Sequence, residues 1–110
     1  MRSNDRDDSD DAPLARVEFD AEIIEWRGPA PYLFAAIPAD HIGEVRFAAR
    51  SASYGWGVVP VAARIGATDF TTSLFPRGET YLLPIKMAVQ RSEGIGLGDR
   101  VSVTMRVIAR

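Results

Sequence analysis

Residues 83–107 read LPIKMAVQRSEGIGLGDRVSVTMRV, and this stretch decides the fold. Pro84 can open a helix, because its missing N–H would be unbonded in a first turn anyway. Gly94 can close that helix in a left-handed cap. Gly96, Gly98 and Asp99 then turn the chain into a strand that alternates from Val101 to Val107. A strand reached through a glycine turn from a short helix points to a mostly β domain.

Working back from this stretch, Tyr81-Leu82-Leu83 reads as a short strand, and Phe75-Pro76-Arg77-Gly78 reads as a corner. Residues 68–74 alternate with Phe70, Thr72 and Leu74 inward. Gly66-Ala67 fits a two-residue hairpin turn with glycine first. Its partner strand is 58–65, where Val59, Val61, Ala63 and Ile65 share a face. Pro60 falls on the opposite face and predicts an edge strand or a bulge.

Residues 51–57, SASYGWG, read as a loop. Before it, Ile42, Val45 and Ala49 recur at helical spacing, with Phe47 outside the stripe, so a helix is expected over 39–50. The single histidine, His41, lies near that helix start and is expected to be exposed. Residues 32–37, YLFAAI, suit a strand buried on both faces. Residues 15–26 alternate strictly: Val17, Phe19, Ala21 and Ile23 on one face, Arg16, Glu18, Asp20 and Glu22 on the other. Arg27-Gly28-Pro29-Ala30 is the turn between these two strands, which should pair as a hairpin.

The expected order is therefore β-β-α-β-β-β-α-β. It lacks the regular βαβ alternation of a doubly wound sheet. Many short alternating strands in 110 residues favour a closed or split β-barrel with two short helices.

That length corresponds to one domain, expected over 13–110. Hydrophobic content is 46% and charged content 25%, in the range of globular proteins. Residues 1–12 carry five Asp against two Arg and lack apolar periodicity, so they are expected to be a disordered acidic tail. No run approaches the roughly 18–20 apolar residues of a membrane span. The start has no apolar core of a secretory signal, so a cytoplasmic location is the default expectation. The tail's net −3 within an overall −2 leaves +1 for the body. A near-neutral body lacks the basic excess of a duplex-binding protein. Its cations are ten Arg and one Lys, expected mostly on solvated strand faces beside Glu or Asp.

The segment GWGVVPVAARIGATDFTTSLFPRGETYLLPIKMAVQRSEGIGLGDRVSVTM resembles the family catalogued as domain of unknown function 1905. Its landmarks are Gly57, Gly66, the run Thr72-Ser73-Leu74-Phe75-Pro76 before Gly78, the Leu83-Pro84 step, and the Gly98-Asp99-x-Val101 ending. Phe19 and Pro38 fit the N-terminal half, so the likeness spans about residues 14–108. The resemblance implies a small β-barrel of the double-split type with short helices packed at its ends, and no established activity. Longer relatives carry a second segment similar to bacteriocin-protection proteins, which is not expected here. Gln90 stands where the family often places an arginine.

Candidate chemistry is sparse. With no cysteine, thiol catalysis, disulfides and Cys-based zinc sites are excluded. Thr72 and Ser73 lack a G-x-S-x-G elbow, and His41 lies in another region. No calcium-loop pattern is present, so neither a catalytic set, nor a metal site, nor a cofactor is expected. Gly94-Ile95-Gly96-Leu97-Gly98 follows a helix and opens a strand, the reverse of a dinucleotide loop. Residues 84–103 also look like the tail of AbrB-type DNA-binding domains, but neutral charge makes nucleic acid an unfavoured partner.

There remains an aromatic and cationic set: Tyr54, Trp56, Thr72, Ser73, Arg77, Tyr81 and Lys86. Antiparallel pairing through the Gly66 turn brings the Trp56 loop to the strand end that carries Arg77. Lys86 is expected to add a second positive charge there. The expected site is thus Tyr54, Trp56, Arg77 and Lys86, for a small anionic or aromatic group. The leading functional expectation is a non-enzymatic ligand-binding or protein-interaction module, monomeric or homodimeric. The alternatives are a nucleic-acid-binding barrel and an enzyme of unknown reaction.

Overall fold

The computed structural model describes residues 15–26, 32–52 and 58–108. In chain order the elements are β1 (Ala15–Trp26), β2 (Tyr32–Ala36), α1 (Ala39–Ala52), β3 (Val59–Ile65), β4 (Thr68–Arg77), β5 (Thr80–Pro84), α2 (Met87–Glu93) and β6 (Arg100–Val107). This is the expected order. The expected acidic tail, the 27–30 turn and residues 53–57 of the expected loop lie outside the described residues.

The strands close into an antiparallel barrel in the order β1-β2-β5-β4-β3-β6, with β6 returning to β1. Two strands hold the barrel together by changing partner half-way. β1 pairs with β6 from Ala15 to Glu22 and with β2 from Ile23 to Trp26. β4 pairs with β3 from Thr68 to Leu74 and with β5 from Phe75 to Arg77. The two halves of the barrel therefore share two continuous strands.

Alternation places the core. Val17, Phe19, Ala21 and Ile23 of β1 are buried, as are Val101, Val103, Met105 and Val107 of β6. Their neighbours on the opposite face, Glu18, Asp20 and Glu22, are exposed. Val59, Val61, Ala63 and Ile65 of β3 face the same core. Leu74 is fully buried, whereas Phe70 and Thr72 are only half-buried.

The helices take opposite ends. Helix α1 touches β1, β3, β5 and β6, so it lies across one opening, with Val45, Ala48 and Ala49 turned into the core. Its Arg46 donates to Glu79 O in the β4–β5 turn (3.1 Å). Helix α2 holds the other end. Its Glu93 carboxylate accepts from Ala67 N (3.2 Å) and from the Thr68 hydroxyl, which together clamp the β3–β4 turn.

Several expectations need correction. Pro84 does not open a helix: it is the last residue of β5, paired with Phe34, and α2 begins three residues later. Ile85 N donates to Leu33 O (2.9 Å), so the sheet still claims the backbone where a helix was expected. Phe75, Pro76 and Arg77 are not a corner but the end of β4, and the turn is Gly78-Glu79. Pro60 is on neither an edge nor a bulge: the barrel is closed, and Val59, Pro60 and Val61 pair one-to-one with Leu74, Ser73 and Thr72. Its carbonyl faces β6 and accepts from Ile108 N (3.1 Å), so its missing donor falls where that seam ends. Strand β2 is buried on both faces only at Phe34 and Ala35, while Tyr32 is exposed. Finally, α1 runs two residues past its expected end. His41 is half-buried, bonded to Glu44 Oε1 (3.1 Å), with its ring 6.3 Å from that of Phe19.

Candidate functional site

Arg77 and Lys86, two of the four expected site residues, are described, and they sit at opposite ends of β5. Arg77 pairs with Thr80 at the start of that strand, and Lys86 follows its last residue by two positions. Six residues of extended chain separate them, roughly 20 Å. Arg77 is at the α1 end of the barrel and Lys86 at the start of α2, so the sequence-based placing of Lys86 beside Arg77 is overturned. Val59 pairs with Leu74, which does bring the beginning of β3 to the end of β4 that carries Arg77. Tyr54 and Trp56 themselves lie outside the described residues.

Lys86 instead belongs to a groove of about 770 Å³. The groove opens where β5 stops. Beyond Pro84, β2 and β4 lose the strand that pairs with both, and the chain crosses into α2. Tyr32 and Phe34 of β2 form one wall; Thr72 and Phe75 of β4 stand across from them, with Met87 and Gln90 of α2 at the end. Three of these side chains are large, apolar and unusually open: Tyr32 is 63% exposed, Phe75 47% and Met87 59%. Single exposed apolar residues are ordinary, but three around one concavity mark a surface that can take an apolar partner.

Backbone geometry fixes this arrangement. The Tyr32 and Phe34 rings, two residues apart on one face of β2, lie 6.5 Å apart at 60°, an edge-on packing that holds Tyr32 over the groove. Lys86 caps α2 with an extended backbone (φ −62°, ψ 152°), and its side chain makes no capping bond. Its carbonyl accepts from Val89 N and Gln90 N (2.9 and 3.0 Å). Gln90 donates from Nε2 to Ile85 O (2.8 Å), bracing the step from strand to helix. Gln90 thus does structural work at this turn with a neutral side chain. Among the described residues, Lys86 has no carboxylate partner.

Other expected residues have different surroundings. Tyr81 is half-buried against the core. Ser73 lines a shallow hollow beside Pro60 and Ile108, which Thr72 shares while also lining the groove. Among the described residues no three His, Asp or Glu side chains gather in a way that could hold a metal ion, and no helix is long and apolar enough to cross a membrane.

The model of a family described as a domain of unknown function (DUF1905) matches residues 19–105. The chain belongs to this family. The match runs from Phe19 within β1 to Met105 within β6, so it takes in β2 to β5, both helices and all but the outer ends of β1 and β6. No curated protein matches the chain. The groove lies within the DUF1905 domain, between elements that its closed topology brings together.

Sequence reasoning missed Tyr32, Phe75 and Met87. Tyr32 was masked by the apolar run YLFAAI, which reads as buried throughout. Phe75 is hidden in the sequence because the alternation stops at Leu74, three residues before β4 ends at Arg77. Met87 falls inside the helix that the sequence predicts from Pro84, whereas it is the first residue of α2. The available signal was the register: Phe75 stands opposite Leu82, and Phe34 opposite Pro84.

Proposed function

We propose that this DUF1905 domain is a non-enzymatic binding module for a small molecule with an apolar or aromatic body and one negative charge. The groove carries the reading. Its volume, about 770 Å³, is within the roughly 300–1,000 Å³ typical of small-molecule sites. Its walls supply the aromatic plates, and Lys86 supplies one cation with no carboxylate partner among the described residues. Aromatic side chains bind flat apolar groups while offering a polar edge, and an ammonium group at the rim selects for an anionic head. Among the described lining residues, only Tyr32 and Lys86 are titratable. That favours binding over acid–base catalysis, which needs partners within hydrogen-bond reach.

The test is a backbone amide NMR titration with phenylacetate and decanoate, each compared with its uncharged amide. Saturable shifts at Tyr32, Phe75 and Met87 are expected with the carboxylates. Lys86→Gln should weaken the carboxylates towards the level of the amides, and Phe75→Arg should weaken all four probes. Shifts spread evenly over the barrel, or none at saturating probe, would end the proposal.

A further inference from the structure

On the outer wall of the barrel, away from the groove, two arginines face each other across a strand pair. On the solvent face of β1 and β6, Arg16 stands directly across from Arg106. Arg106 in turn pairs with Ala62 of β3, whose small side chain leaves space beside it. Two positions along β3, Arg64 projects from the same face, opposite Thr104. These residues surround a hollow of about 220 Å³.

Among the described residues, the charges in this hollow are not balanced. Arg64 Nη1 donates to both carboxylate oxygens of Asp69 (3.1 and 2.9 Å), which neutralises one arginine. Arg16 and Arg106 have no hydrogen bond or ion pair among the described residues. Glu18, two positions from Arg16 on that face, stands opposite Thr104 and lines the neighbouring hollow with Asp20 and Ser102. Asp20 is itself engaged by the Ser102 hydroxyl (2.6 Å). Like charges directly opposite each other on adjacent strands are destabilising, so a cross-strand arginine pair on a wet face is a placement that folding alone does not favour. A shared anion reverses the sign of that interaction.

We propose that Arg16 and Arg106 form an anion site for the terminal phosphoryl group of a small molecule. Guanidinium groups present paired N–H donors that match phosphate oxygens, and a dianionic group can take one fork from each arginine. The Thr104 hydroxyl and the outer nitrogens of Arg64 are the remaining donors at the rim. The hollow is smaller than whole-ligand pockets, which begin at roughly 300 Å³, so it suits a head group with the rest of the molecule in solvent. A terminal phosphoryl group is favoured over a phosphodiester chain because the cationic area is one hollow. A nucleic-acid backbone needs a track of such contacts.

Amide NMR of the whole chain tests this with inorganic phosphate and methyl phosphate, at ionic strength held constant with chloride. A single saturating curve is expected at Arg16, Ala62, Arg64, Thr104 and Arg106. Arg16→Gln and Arg106→Gln should each raise Kd by roughly tenfold or more. Arg100→Gln, on the same face but outside the hollow, should not change it, and neither should Lys86→Gln in the groove. All four side chains are exposed, so their loss leaves the core intact. Non-saturating shifts that chloride reproduces would overturn the site, as would wild-type affinity in Arg16→Gln. Tight binding of a single-stranded oligonucleotide with no response to phosphate would also reject it.

Discussion

At the scale of single residues, two glycines with nearly identical backbone angles do different work. Gly66 (φ 60°) and Gly78 (φ 59°) both sit in two-residue turns between antiparallel strands. Alanine at either must adopt a left-handed conformation, at about 1–2 kcal/mol. A Cβ on Gly78 meets nothing within 4 Å, whereas one on Gly66 runs into the Glu93 carboxylate. Glu93 can swing away only by giving up Ala67 N and the Thr68 hydroxyl. Each such bond contributes about 0.5–1.5 kcal/mol, more when a charge is involved. Gly66→Ala is therefore expected to cost about 1–3 kcal/mol more than Gly78→Ala in urea unfolding. In a Glu93→Ala background the excess should vanish, because the clamp is already gone. Equal losses for the two glycines in the wild-type background would remove Glu93 from the explanation.

At the scale of elements, helix α1 separates core from surface within one turn. Val45 is fully buried, and Phe47, two residues on, is 71% exposed with the Arg50 guanidinium 5.9 Å from its ring centre. Val45→Ala removes buried methyl groups and is expected to cost about 1–3 kcal/mol. Phe47→Ala should cost at most about 1 kcal/mol, the most an exposed cation–π pair contributes. Thermal unfolding of the two variants checks the ranking, and a larger drop for Phe47→Ala would reverse the assigned face. The 3.6-residue stripe made this helix legible, and strict alternation did the same for β1, β3 and β6. What sequence left hidden was set by pairing between distant strands. Pro84 carries a real helix-start signal, yet Phe34 and Leu33 draw residues 84 and 85 into the sheet. Phe75 to Arg77 carry turn residues, yet pairing with Thr80 to Leu82 keeps them extended. The same cause limited the site. Lys86 was legible as a cation near a helix start. Its neighbours Tyr32 and Phe75 come from strands whose exposed face only the register reveals.

At the scale of the whole molecule, the shared strands determine how the barrel comes apart. Ile23 is fully buried at the point where β1 changes partner. Its N–H donates to Asp99 O (2.8 Å) and its carbonyl accepts from Gly98 N (2.9 Å), on the β6 side. On its other side it pairs with Ala35 of β2. The barrel half built on β3 and β6 and the half built on β2 and β5 thus meet in one residue, and again in β4. Neither half can dissociate without fraying a strand that the other needs, so unfolding should be a single cooperative step. Ile23→Ala should lower stability by about 2–5 kcal/mol, a large share of the roughly 5–15 kcal/mol typical of a domain. Amide exchange read at β2–β5 and at β3–β6 should report that loss equally, because both seams open only in the global transition. Removal of residues 1–12 should leave both seams unchanged, since the first strand pair, Ala15 with Val107, lies beyond the cut. A variant whose β2–β5 amides exchange faster while the β3–β6 amides keep wild-type protection would show two separable halves. In that case closure of the barrel, and not continuity of β1 and β4, would be what joins them.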